Sequence, residues 1–88
     1  MQNQSEIIQT LVQYIINDLS AGGDVTKINE DDDLLGDEFI DSMGVMRLVA
    51  FIEKEYSIIV PPEEVRIENF MNVKAIAHYI EQQISAEN

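Results

Sequence analysis

Three stretches of this sequence place apolar residues at spacings of three and four, and a segment patterned that way buries one stripe only as an amphipathic helix. In residues 5–19 the stripe is Ile7, Ile8, Leu11, Val12, Ile15, Ile16 and Leu19. In residues 42–56 it is Val45, Leu48, Val49, Ile52 and Tyr56, with Arg47, Glu53 and Lys54 outside. A third runs from residue 72 to residue 85, with Val73, Ile76, Ala77, Ile80 and Ile84 inward and Lys74, Glu81 and Gln82 outward. Ser5, Asp41 and Asn72 precede the three stripes, and all are residue types whose side chains accept a first-turn N–H. No stripe closes around its helix, so each needs a neighbour to cover it.

The connections differ in kind. Gly22-Gly23 stops the first helix, because glycine readily takes the left-handed conformation that ends one. Residues 23–41 then hold eight acids and one Lys, interrupted by Val25, Ile28, Leu34, Leu35, Phe39 and Ile40 with no sustained period. A connector of that length in a small domain pins itself with apolar anchors, here Leu34, Leu35 and Phe39. Ile58-Ile59-Val60 ahead of Pro61-Pro62 reads as an extended link, and a short helical piece is expected within residues 63–71. The fold class is all-α: a small four-helix bundle of three longer helices and one short one, with a long first connector.

Eighty-eight residues suffice for one domain, residues 1–88, and one modest core. With 45% apolar and 25% charged residues the composition is that of a folding chain, and the stripes suffice for a monomer. Seventeen acids against five bases give a net charge of -12, which opposes nucleic acid and anionic lipid. Basic partners suit that charge, although it also serves solubility. There is no Cys, so disulfides, thiolate metal sites and a cysteine nucleophile are excluded, and any thiol chemistry has to come from a cofactor. No apolar run reaches the length of a membrane span and no secretory pattern opens the chain, so the expected location is cytoplasmic without membrane insertion.

Enzyme chemistry finds little support. The single His, His78, reads as a partly exposed residue midway along the third helix, beside core positions and without a nucleophile or orienting group, so no catalytic residue is assigned. The acidic run Glu30-Asp31-Asp32-Asp33 half fits a calcium loop through Asp31, Asp33 and Gly36. Leu35 takes one ligand place and Ser42 replaces the closing Glu, so no metal site is assigned. Met43, Met46 and Met71 are of the type that fills core gaps. Helical spacing nevertheless sets Met46 on the face shared with Ser42 and Ala50, away from Leu48, Val49 and Ile52, where an apolar strip suits docking.

Ser42 follows the acidic connector and opens the second helix, where backbone N–H groups are unpaired and the helix dipole is positive. A phosphodiester on its hydroxyl would suit that end, and Gly44 leaves room for it. On the tripeptide alone, a serine serving only the cap region is the favoured account of the position.

Asp41-Ser42-Met43, followed by Val45-Met46-Arg47-Leu48-Val49-Ala50-Phe51-Ile52-Glu53-Lys54-Glu55-Tyr56, resembles the acyl carrier proteins, whose motif is Asp-Ser-Leu or Asp-Ser-Met. The likeness extends through Val60-Pro61 and from Asn69-Phe70 to Ile80. It implies that a phosphopantetheinyl transferase, using coenzyme A and magnesium, attaches 4'-phosphopantetheine to Ser42, with Asp41 assisting. Acyl or aminoacyl groups then ride as thioesters between loading and transferring enzymes. It further implies that Met43, Met46, Arg47, Ala50, Glu53 and Lys54 face those partners. Phe39 stands where many fatty-acid carriers have Gly, and Arg47 where they show an acid. The chain is thus more similar to carriers of polyketide, nonribosomal-peptide or D-alanyl transfer systems. The rival reading is an unmodified acidic helical adaptor that binds a basic protein surface.

Overall fold

Asn3 starts the first helix, and it does so upstream of the serine that the sequence suggests. Its Oδ1 accepts the Glu6 N–H at 2.9 Å and its carbonyl accepts that of Ile7 at 3.1 Å. Helix α1 therefore spans Gln4–Tyr14, and Ser5 lies inside it and not at its cap. Both residue types can cap; Asn3 wins by reaching a first-turn amide and adding two residues to the helix. Glu6 falls in the first turn, where the dipole favours an acid. The computed structural model describes residues 3–19, 28–34, 36 and 40–87, apart from the side chains of Leu19, Ser42, Ala86 and Glu87.

The α period ends sooner than expected. At Ile15 the backbone N–H is shared between the Leu11 and Val12 carbonyls, and Ile15–Leu19 continues as a π-helical turn. Gly22-Gly23, expected to stop this helix, lies outside the described residues. Helix α2 spans Ser42–Tyr56, as its stripe predicts. It ends on Ser57, the only non-glycine residue with positive φ among the described residues (φ 55°, ψ 43°). That reversal feeds an extended link in which Ile58 and Val60 are buried and Ile59 points out, 74% exposed. The short helical piece expected within residues 63–71 is helix α3 at Ile67–Phe70, and a 3-10 turn at Pro62–Glu64 precedes it. Val65 (φ -82°, ψ 77°) and Arg66 (φ -120°, ψ 158°) both leave the helical region, so one helix does not run through. Helix α4 spans Val73–Glu87, and Asn72 Oδ1 accepts the Ala75 N–H at 2.7 Å, the expected cap.

α1 and α3 both pack on α4, and α2 meets α4 and the π turn. Ile7, Leu11 and Ile15 from one side, Leu48 and Ile52 from the second, and Val73, Ile76, Ala77 and Ile80 from the third are fully enclosed. Each large apolar side chain so enclosed stabilises the fold by about 1.5–3 kcal/mol relative to exposure. Tyr79 and Phe70, which no stripe assigned to the interior, join them with rings tilted at 48° and centroids 6.0 Å apart. The Tyr79 hydroxyl is buried without a hydrogen-bond partner among the described residues. Burial, then the charges of Glu64, Glu53 and Glu63, push its pKa above the ordinary 10.0.

Ile28, Leu34 and Ile40 bury the connector against this core. Leu34 is thus an anchor as expected, while Leu35 and Phe39 lie outside the described residues. The anchoring is also polar: the Leu34 N–H donates to the Met71 carbonyl at 2.9 Å, and the Lys74 N–H donates to the Glu30 carbonyl at 3.0 Å. Among the described residues there is no strand, and no helix is long and apolar enough to cross a membrane.

Candidate functional site

The start of α2 is built by Asp41 and by what lies behind it. Asp41 is extended (φ -107°, ψ -173°), and its Oδ1 accepts the Gly44 N–H at 2.7 Å. Its carbonyl accepts the Val45 N–H at 3.0 Å. Ser42 is consequently the first helical residue of α2, and its side chain lies outside the described residues. One residue before Asp41, Ile40 is buried and its N–H donates to the Leu34 carbonyl at 3.2 Å. Since Leu34 is itself bonded to Met71, the acidic connector fixes the α2 start against the α3–α4 junction.

Gly44 has a more definite task than leaving room for a ligand. A Cβ there would stand 3.1 Å from the Ile40 Cβ and 3.4 Å from the Asp41 Oδ1. The missing side chain lets the anchor and the cap close on the same turn.

The entrance fits an anionic group carried on Ser42. The first turn of α2 contains no acidic residue, and the one carboxylate at the positive end of the dipole is that of the cap, Asp41. Asp41 and Met43, on either side of Ser42, are both exposed, Met43 by 74%, so this end of the helix is open to another protein. Asp41 Oδ2 accepts no hydrogen bond among the described residues.

Down the helix, Met46 is 63% exposed, and Arg47, Ala50 and Lys54 are exposed with it. Neither Met43 nor Met46 is core filler, and Met71 is 42% exposed as well. Glu53 behaves differently: it is half-buried, and its Oε2 accepts the Val60 N–H at 2.9 Å, tying the extended link to α2.

Alongside this face lies an open groove of ≈ 500 Å³ lined by Tyr14, Asp18, Arg47, Ala50, Phe51 and Lys54. Tyr14 and Phe51 form its floor, stacked 9° from parallel with ring centroids 4.0 Å apart. The Tyr14 hydroxyl donates to the Arg47 carbonyl at 3.5 Å, a long bond. Sequence reasoning missed Tyr14, Asp18 and Phe51, because the groove forms only when α1 and α2 come together. The carboxylates of the acidic run serve the connector: Asp32 accepts the Asn29 N–H and Asp33 the Gly36 N–H, each at 2.9 Å. No group of three or more His, Cys, Asp or Glu residues suited to a metal ion occurs among the described residues. His78 is exposed, beside Glu81, Gln82 and Ser85 on the outer side of α4.

No curated protein matches this chain. A family model, that of the phosphopantetheine attachment site, matches residues 9–80, a span that holds the α2 entrance, the connector before it and the first half of α4. The group which that family attaches is 4'-phosphopantetheine, and its members work with a phosphopantetheinyl transferase and with biosynthetic enzymes. A helical bundle, a helix start open to solvent and a match across most of the sequence converge: the chain belongs to the phosphopantetheine attachment family, that of the acyl carrier proteins.

Proposed function

We propose that residues 1–88 form a single acyl or aminoacyl carrier domain in which Ser42 bears the phosphopantetheine arm and which has no catalytic activity of its own. The observation that carries this reading is the position of Ser42, the first residue of a 15-residue helix whose first turn is free of acids. Phosphopantetheine supplies the thiol that holds the cargo as a thioester. The protein's own residues supply place and recognition. Asp41 caps the helix with one carboxylate oxygen and offers the other to the modifying enzyme. The α2 dipole stabilises the charge on Ser42 by about 0.3–1 kcal/mol. Met43, Met46, Arg47, Ala50, Glu53 and Lys54 meet successive enzymes, with Glu53 also held internally by Val60.

Delivery between enzymes needs release as well as capture, so each contact is small and weak, while the tether keeps the cargo at high local concentration. We place this work in the cytoplasm and the carrier in monomeric form. Charge on the second helix favours a specialised pathway over ordinary fatty-acid synthesis, since Arg47 puts a base in the middle of the partner face.

Intact-mass measurement tests the reading. Incubation with coenzyme A, magnesium and a broad-specificity phosphopantetheinyl transferase adds one arm to the protein, and Ser42→Ala abolishes the gain with the helical circular dichroism unchanged. An arm that still adds to Ser42→Ala puts the site elsewhere. No gain in the unaltered chain favours the adaptor.

A further inference from the structure

The groove between α1 and α2 carries a charge opposite to that of the molecule. Of five basic residues in the chain, Arg47 and Lys54 stand seven positions apart on α2, about two turns, and so share a face. Both line the groove and both are exposed. Acids outnumber bases seventeen to five, yet neither residue forms an ion pair among the described residues, whereas Arg66 pairs with Glu64 at 3.3 Å. Between the two cations the wall is Ala50 and Phe51, and the stacked Tyr14 ring extends the apolar floor. One acid, Asp18, enters the lining from the π turn of the facing helix, and π turns recur at functional sites.

We infer that this groove receives a partner segment bearing two carboxylates on either side of an apolar side chain. The carboxylates pair with Arg47 and Lys54, and the apolar group lies on Ala50 and the Tyr14–Phe51 stack. Arg47 gives the stronger end, because a guanidinium holds a carboxylate through two parallel hydrogen bonds. Long-range repulsion from the rest of this acidic chain does not forbid such a partner. At physiological salt the screening length is about 8 Å, so contact pairs outlast the overall field. The inference rests on the carrier reading in taking α2 as the partner face, and it names the chemistry that face selects.

Amide chemical shifts of the 88-residue chain test it, with a synthetic helical peptide that carries Glu residues seven positions apart around a central Leu as the probe. The matching peptide with Lys for Glu is the control. The acidic peptide shifts Tyr14, Ala50, Phe51 and Lys54. Arg47→Glu with Lys54→Glu weakens it about tenfold and turns the groove towards the Lys peptide. Arg47→Gln with Lys54→Gln, which introduces no new repulsion, weakens it in the same direction. The Lys peptide is attracted to an acidic protein in general, so only shifts within the groove count. The inference is overturned if the acidic peptide leaves these residues unmoved, if the Lys peptide occupies the groove of the unaltered chain as well, or if the charge variants bind unchanged. Because the peptides need no arm, the result is independent of the mass assay, and failure of one leaves the other readable.

Discussion

Asp41 caps α2 with one carboxylate oxygen and, in the function proposed above, offers the other to the modifying enzyme; substitution separates the two. Asp41→Ala removes the acceptor for the Gly44 N–H and destabilises the fold by about 1 kcal/mol, measured by urea unfolding. Asp41→Asn keeps a capping oxygen, so its stability stays within a few tenths of a kcal/mol while its rate of modification by the transferase falls. Equal rates for Asn and Asp would remove the charge from the account. Tyr79 offers a second test at this scale. Its folded pKa is raised above 10.0 by burial, so the folded state holds the phenol proton more tightly than the unfolded state. Stability from this group is complete below pH 10 and is lost as pH rises through the folded value. Tyr79→Phe removes a buried hydroxyl without a partner, leaving neutral stability equal or higher, and thermal melts above pH 10 show a smaller alkaline loss.

Helix ends were legible where the signal is local. Asp41 and Asn72 each sit three residues before the amide they cap, so the sequence contains both partners. Asn3 and Ser5 are both capping types two positions apart, and pattern alone does not choose between them. The π turn was hidden because Ile15, Ile16 and Leu19 also fit an α period. Tyr79 was hidden because a stripe records one buried face, whereas α4 is covered by α1 on one side and α3 on another. The position of Ser42 could be read from its motif and cap, but the groove could not, since Tyr14 and Phe51 meet only in the tertiary fold. Glu53 shows the same limit: helical spacing sets it outward, and the link after α2 turns back to use it. That bond is testable. Glu53→Ala strands the Val60 N–H at a buried position and costs about 1–3 kcal/mol, while Glu53→Gln retains an acceptor and costs less. Equal losses in chemical denaturation would show that the carboxylate charge matters and the bond does not.

Across the whole molecule, a net charge of -12 is confined to a body with a radius of gyration of 12.1 Å and a longest extent of 39 Å. At low salt the screening length, about 30 Å near 0.01 M, approaches that extent, so nearly every carboxylate repels every other in the folded state. Unfolding spreads the charges and relieves the repulsion. Little offsets it: among the described residues the one ion pair is Arg66–Glu64, with Arg66 54% exposed, and a surface pair of this kind contributes roughly 0–1 kcal/mol. Raising sodium chloride to about 0.15 M shortens the screening length to about 8 Å and leaves only neighbouring carboxylates in contact. The melting temperature therefore climbs steeply between these salt concentrations and then flattens, since further screening reaches only pairs already close. Differential scanning calorimetry across that range checks it. A flat or falling melting temperature would mean that local ion pairing, not general repulsion, governs how this acidic chain holds together.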